Sequence, residues 1–467
     1  MITFGYLPIL LLLIFVMRAN GQVSTAGHFQ SYIGQSSLRD ELNHHHIPTP
    51  RFLNDNDKPQ KLLKPYRFAK SIPISISFDH ASTVFINRHG DWRWQIKLSS
   101  PGAISLSLIF DQWWIPEHSE VYVYNHEEIL GAFTAFPSNK ASNQFATAPL
   151  KGDSITIEYY SPARVRQLPR IRISRLVYGF KSLPHHPQQR DEMNYPQEDN
   201  SQQHVMKRKR RPQSGKCNVD ASCDAAASSW SKEARSVAVL LTDENQVYCT
   251  GVLLNNAEHD GRQLLLTAYH CTGSSNPATD IVMFNHQRRS CNGYRQIMSS
   301  KSDTLHGLNW LAGSVISDYA LFELQEPIPE HYDVYLAGWS TIDEPSPPLV
   351  GIHHPSGDFK KLSIYNGHLL PACWSECPDK DHWKVEHWTR GTTEPGSSGS
   401  PLFDANHRVV GQLHGGSASC WNKNGYDVYG SFSASWKNGL SFYLDPKNQT
   451  NAFGDIAIDG VYLNKLH

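Results

Sequence analysis

Apolar and polar residues alternate at every second position through one long stretch of this 467-residue chain, and short β-rich runs fill a second. From about residue 67 to 182 the runs are SIPISISF, DWRWQIKLS, ISLSLIF, EVYVYN, SITIEYY and RIRISRLVYGF, broken at Pro, Gly and Asn. A side-chain period of two predicts half-buried antiparallel strands, and so many short strands in one block predict a β-sandwich. From 217 to 467 the strand texture resumes in SVAVLLT, QLLLTAYHC, DYALFELQ and VVGQLHGG. Helix-length periods are few there and no internal repeat is visible. The expected fold class is all-β, in two parts.

The remaining segments read differently. Residues 1–21 carry an apolar run, Leu7 to Val16, then Ala19-Asn20-Gly21 before Gln22. That is the pattern of a secretory signal peptide, although Arg18 follows the apolar run and no basic residue precedes it. The run is short for a bilayer span, which needs about 20 apolar residues. A short anchor is the alternative. Residues 22–66 are polar, rich in His, Asn, Asp and Pro, and are expected to be poorly ordered. Residues 183–216 are polar, Pro-punctuated and contain KRKRR at 207–211, the composition of an exposed linker open to proteolysis.

Charge narrows the partners. The balance of 43 Lys+Arg against 44 Asp+Glu leaves a net charge of −1, so no global field favours nucleic acid or an anionic membrane. All eight cysteines lie between Cys217 and Cys420, and an even set in an exported chain predicts disulfides in the C-terminal part. The alternative, zinc at Cys373 and Cys377, lacks a second ligand pair at finger spacing. The histidine runs at 44–46, 185–186 and 353–354 are expected to be solvated loop residues rather than metal ligands. No metal and no cofactor is expected.

One stretch, GTTEPGSSGSPLF at 391–403, could be a turn of ordinary composition or could hold a reactive hydroxyl. A serine needs a base to take its proton and a third group to orient that base. His270 ends the apolar run LLLTAYHC, Asp318 opens DYALFEL, and Ser398 lies in GSSGS, with gaps of 48 and 80 residues. The order His, Asp, Ser is that of the chymotrypsin-like double barrel, whereas α/β-hydrolases and subtilisins use other orders. The bland alternatives are a core histidine, a turn-capping aspartate and a turn-filling serine.

On TAYHC, DYALFEL and GSSGSP the chain resembles the chymotrypsin-fold serine endopeptidases. On CNVDASC, GIHHPSGDFKK, TEPGSSGSPLFD, GQLHGG and YDVYG it resembles, more narrowly, the secreted lysyl endopeptidases. The likeness is dense over about 215–440, and GDWRWQIKLSSPGAISLSL looks like that family's pro-domain. The resemblance implies a sandwich pro-domain over 67–182 and a protease domain of two six-stranded barrels over 217–467, with the site between the barrels. It implies bridges Cys217–Cys420, Cys223–Cys291 and Cys249–Cys271; a small extra bridge, Cys373–Cys377, is our own inference. Ser398 would attack the scissile carbonyl, with His270 as base and Asp318 orienting it. The amides of Gly396 and Ser398 would stabilise the oxyanion.

The resemblance further implies a pocket with Gly415 and Gly416 in its wall and Asp427 as its acid, hence cleavage of protein or peptide substrates after Lys. His414 either packs beside the triad carboxylate or lines that pocket, and a monomer is expected. Thr392 stands where animal trypsins carry their pocket acid, and Glu394 is a second candidate. His414 leaves a glutamyl specificity as the runner-up within this fold; a secreted non-catalytic binding protein on a protease scaffold is the alternative of another class. Ser397, just before the nucleophile, has no charge to pair with a new N-terminus. Residues 22 to about 211 are therefore expected to act by covering the enzyme or assisting its folding. Release is expected by self-cleavage after Lys207 or Lys209, because Pro212 hinders a cut after Arg211.

Overall fold

The computed structural model describes residues 44–50, 66–78, 83–87, 89–180, 214–223, 229–244, 246–274, 276–288, 291, 303–375, 380–450 and 456–466. The segment expected to be a signal peptide, the histidines at 185–186, the KRKRR run and Cys377 lie outside them. The N-terminal part holds two sheets. One runs His44–His46, Trp92–Ser99, Ser154–Ser161, Glu120–Tyr124, Ile129–Phe133, with Thr83–Ile86 on the second strand. The other runs Leu150–Lys151, Ser105–Trp114, Arg170–Gly179, Ala69–Ser77, with Phe145–Ala146 alongside. Alternation does what it predicts: Trp94, Ile96 and Leu98 share one core with Leu106, Leu108 and Phe110.

Two expectations need amending. His44–His46 is not a solvated loop but a strand, parallel to Trp92–Ser99, and Ile47 behind it is buried in the core. Backbone pairing with Trp92–Ser99, the Ile47 amide on the Ser99 carbonyl and the burial of Ile47 together hold this polar segment. Ser105–Trp114 was expected to be half-buried. Over 105–110 its second face is buried as well, with Ser107 at 1% and Ile109 at 3% exposure, and Ile109 packs there against the C-terminal part.

In that C-terminal part Val237–Leu241, Gln246–Leu254, Leu264–Ala268, Ile281–Met283, Thr304–His306, Leu308–Ser314 and Tyr319–Leu324 form one sheet. Tyr66–Arg67 from the N-terminal part pairs with its Gln246–Leu254 strand. The second sheet contains Leu349–His353, Lys361–Tyr365, Leu370–Ala372, His382–Val385, Pro401–Phe403, Val409–Gly416 and Asp427–Ser431. Counted with short strands such as Val219–Asp220, Trp339–Ser340 and Ala457–Ile458 in the second and Tyr66–Arg67 in the first, the sheets have ten and eight strands, against the six expected in each barrel. Each sheet has its own core, around Leu240, Leu253 and Leu265 in the first and Leu349, Leu402 and Tyr429 in the second. A third core, with Val252, Leu264, Val350 and Phe403, joins the two.

Three of the four expected bridges form: Cys217–Cys420, Cys223–Cys291 and Cys249–Cys271. The fourth, Cys373–Cys377, involves a residue outside those described. The linker expected to run to 216 is already fixed at its end: Ser214 Oγ donates to Asp358 Oδ2 at 2.6 Å and the Gly215 amide to Glu394 Oε1 at 2.9 Å. No helix among the described residues is long and apolar enough to cross a membrane.

Candidate active site

The strand Leu264–Ala268 ends in a tight turn, Tyr269–Ser274, which carries His270 at the surface. The Cys271–Cys249 bridge ties that turn to the neighbouring strand. Asp318 precedes the adjacent strand Tyr319–Leu324 and has φ +56, a left-handed conformation that L-residues adopt only when held there. The holding contacts are visible. The Asp318 carbonyl accepts the Tyr269 amide at 3.0 Å, and Gln412 Nε2 donates to the Ser317 carbonyl at 2.7 Å. Asp318 Oδ1 accepts the His270 amide at 2.9 Å, while Oδ2 lies 2.7 Å from His270 Nδ1. The buried carboxylate thus fixes both the backbone and the ring of His270, leaving Nε2 as the available nitrogen.

Ser398 sits in a loop folded by successive turns. Ser397, Gly399 and Ser400 donate their amides to the carbonyls of Glu394, Leu413 and Ser397 at 3.0, 2.8 and 3.0 Å. The amides of Gly396 and Ser398 find no acceptor among the described residues. Thr250 clamps the same loop, its amide on the Ser398 carbonyl and its hydroxyl on the Gly396 carbonyl, both at 2.8 Å. Gly399 (φ +78) is obligatory: a Cβ there would stand 2.2 Å from Thr267 Oγ1 and 2.6 Å from the Ala268 nitrogen. The backbone just after Ser398 therefore lies against the strand end that leads to His270.

The uncharged Ser397 is bonded to His353 Nδ1 at 2.8 Å, and His353 Nε2 to Ser363 Oγ at 3.0 Å. His353 and His354 are fully buried, contrary to the solvated loop expected, and burial pushes His353 down to about 3, so it is a neutral bridge.

Asp427 is 1% exposed at the start of Asp427–Ser431. Its Oδ2 accepts Trp388 Nε1 at 2.6 Å and Thr393 Oγ1 at 2.7 Å. Its Oδ1 has no hydrogen-bond partner among the described residues; the nearby Ala418 amide is already given to the Tyr426 carbonyl at 3.1 Å. Burial pushes this carboxyl up to about 6, against the pull of Thr393, Trp388 and the nearby Ala418 amide. Gly416 pairs with Asp427 across the ladder, and a Cβ on it would lie 2.3 Å from Oδ1. Glu394, the second candidate acid, is occupied by the Gly215 amide and by Asn218 Nδ2 at 3.0 Å.

Between Leu413 and Gly415 the ladder register shifts, which takes His414 out of the regular alternation. Its Nε2 lies 3.6 Å from Asp318 Oδ2 and its Nδ1 3.0 Å from His382 Nε2, while His382 Nδ1 reaches Asp381 Oδ1 at 2.5 Å. Trp374 stacks on the His414 ring at 3.9 Å between centroids. His414 thus packs beside the Asp318 carboxylate, one of the two places the sequence left open, and burial pushes its ring down to about 4, so it is neutral there. His270, Asp318 and His414 hold ligand atoms within 4.8 Å of one another. A metal there would have to displace the 2.7 Å His270–Asp318 contact, so the donor set suits proton handling better. Sequence reading missed Thr250, Thr393, Trp388 and the Asp381–His382 pair; no local motif marks them, because each acts through a contact made across the sheets.

Two sheets with separate cores, joined at a seam that carries a His–Asp pair beside a glycine-rich serine turn, have the arrangement expected of the chymotrypsin-like double barrel. Residues 212–430 match the family model of the lysyl endopeptidase C-terminal domain, so the likeness drawn from the motifs holds over that segment. The chain is 29% identical over 257 residues to the lysyl endopeptidase of Pseudomonas aeruginosa, covering 50% of this chain and 52% of that protein. It thus spans about half the length of that curated relative. Among solved structures it is similar to the HtrA-type protease AlgW with tripeptide (TM-score 0.34, 15% identity, 47% of this chain and 64% of that one). It is also similar to a serine endoprotease from Yersinia pestis (TM-score 0.32, 12% identity, 49% and 69%).

Proposed function

We propose that the chain is a serine endopeptidase that cleaves peptide bonds after lysine. Ser398 attacks the carbonyl, His270 Nε2 takes its proton and returns it to the leaving amine, and Asp318 stabilises the imidazolium. The unengaged amides of Gly396 and Ser398 receive the developing oxyanion, where one such donor contributes on the order of 3 kcal/mol. The observation that carries the lysine reading is the unpartnered Oδ1 of Asp427, buried beside a residue that lacks a Cβ. An ammonium on a long apolar stem satisfies such an oxygen. A glutamate side chain would set a second carboxylate against it, which disfavours the glutamyl reading. The exported, disulfide-linked precursor of the sequence reading, matured by a cut near Lys207 or Lys209, is part of this proposal.

The test is a set of variants assayed on a lysyl peptide and on a small neutral ester. Ser398→Ala, His270→Ala and Asp318→Asn each lower kcat/KM by several orders of magnitude on both substrates, and non-additively, since the three act as one unit. Asp427→Asn abolishes lysine cleavage and leaves ester hydrolysis within a few-fold. Near-normal peptide cleavage by Ser398→Ala overturns the mechanism, and cleavage after Glu by the unmodified protein overturns the specificity.

A further inference from the structure

The first six residues of strand Ser105–Trp114, through Phe110, are buried on both faces, which an antiparallel sheet with one solvated side does not need. The second cover is the catalytic half of the chain itself. Phe68, Ile109 and Val177 pack with Val239, Val247 and Met283 in one fully buried apolar cluster. Around it, Arg175 reaches Asp243 at 2.9 Å and Glu244 at 3.2 Å. Lys140 and Glu326, 4% and 5% exposed, pair at 3.1 Å. Backbone pairing of Tyr66–Arg67 with Gln246 and Val247 extends the catalytic sheet by one strand.

These contacts are placed away from the candidate site. Among the described residues, the cleft of about 880 Å³ beside His414, His382 and Trp374, next to the His270–Asp318 pair, is lined by residues between 315 and 438. Among the described residues, no hydrogen bond, ion pair or ring contact joins His270, Asp318, Ser398 or Asp427 to residues 44–180. The docked edge does, however, lie on the Gln246–Leu254 strand, the one that carries Thr250 and Cys249 and so supports the serine loop and the histidine turn.

We infer that the N-terminal β-unit remains on the catalytic half as a non-covalent subunit after the linker is cut, and that it does not gate the cleft. Dissociation would uncover an apolar patch and an unpaired strand edge on the catalytic sheet, both of which favour re-association. No cysteine precedes Cys217, so no disulfide can hold the two parts together and the contact itself must do so. The absence of gating rests on the peptidase reading; retention does not.

The experiment uses the full chain with a sequence-specific protease site placed in the 183–213 linker. After cutting, the two fragments are run on size exclusion at micromolar concentration and 0.15 M salt, and hydrolysis of a lysyl ester is compared before and after the cut. Co-elution of both fragments, with kcat/KM changed by less than threefold, is the expected result. Arg175→Glu, which sets like charge against Asp243 and Glu244, should weaken co-elution at least tenfold on dilution. Separate elution of the wild-type fragments overturns retention. A tenfold or greater rise in rate on cutting shows that the uncut unit covers the cleft and overturns the absence of gating. Failure of both forms to hydrolyse the ester counts against the peptidase reading, and co-elution then decides retention by itself.

Discussion

Asp427 is a carboxylate held where its charge is costly. Its folded value, about 6, lies above the ordinary 3.8 because burial disfavours the ionised form. Between those values the native state keeps a proton that the unfolded chain has lost, so this site's contribution to stability is present below about pH 4 and is lost as pH rises through about 6. The interval corresponds to at most about 3 kcal/mol. Relative to wild type, Asp427→Asn should therefore gain stability, by up to about that amount, as pH is raised from 4 to 7; urea midpoints at the two values measure it. Catalysis should show the opposite side of the same titration. Only the ionised carboxylate pairs with an ammonium, so the ratio of lysyl-peptide to neutral-ester kcat/KM should fall about tenfold per pH unit below about 6. Taking the ratio removes the titration of His270, which both substrates share. A flat ratio would mean that Asp427 does not meet the substrate.

At the scale of elements, the site depends on how strands are terminated and clamped. Asp318 reaches His270 only because its backbone is held left-handed, and the serine loop keeps two amides unengaged only because its carbonyls are engaged elsewhere. Thr250 makes two of those engagements, and its hydroxyl also accepts the His354 amide at 3.2 Å. Thr250→Val keeps the shape but leaves the Gly396 carbonyl and the His354 amide without that partner, a loss of about 1–3 kcal/mol for each buried group left unsatisfied. The expected outcome is a stability loss of roughly 2 kcal/mol together with a kcat reduced more than KM is raised, since the clamp positions the loop and touches no substrate. Thermal melts and steady-state kinetics of the variant check both. An unchanged kcat would show that the neighbouring turns alone fix the loop.

In the whole molecule, long-range ties join regions that the sequence keeps apart. The Cys217–Cys420 bridge closes a separation of 203 residues and fastens the segment after the linker to the loop that precedes Asp427. Glu394, bonded to Gly215, adds a second tie at the same place. Replacing both cysteines by serine should cost roughly 2–5 kcal/mol and should lower lysyl-peptide cleavage more than ester hydrolysis, because the pocket loop is the part released. Denaturant titration and the substrate ratio read the two effects separately. Equal losses on both substrates would place the bridge's influence on the fold as a whole.

Alternation and spacing are local or nearly local properties, so the sequence alone determined the all-β class, the two-part organisation, and the His, Asp, Ser order with its glycine-rich turn. It also supplied the resemblance from which Asp427 and three bridges were expected. It could not determine which partner each buried polar atom would take. Thr250, Thr393, Trp388 and His382 carry no motif, and their contacts exist only where strands distant in sequence meet. For the same reason His353 and His354 looked like a solvated loop and lie in the interior, where burial keeps His353 neutral and bonded to Ser397. Burial of both faces of Ser105–Trp114 over its first six residues was equally unreadable. Its alternating serines satisfy the pattern of a solvated face, and only the docking of the catalytic half on that sheet replaces the solvent with protein.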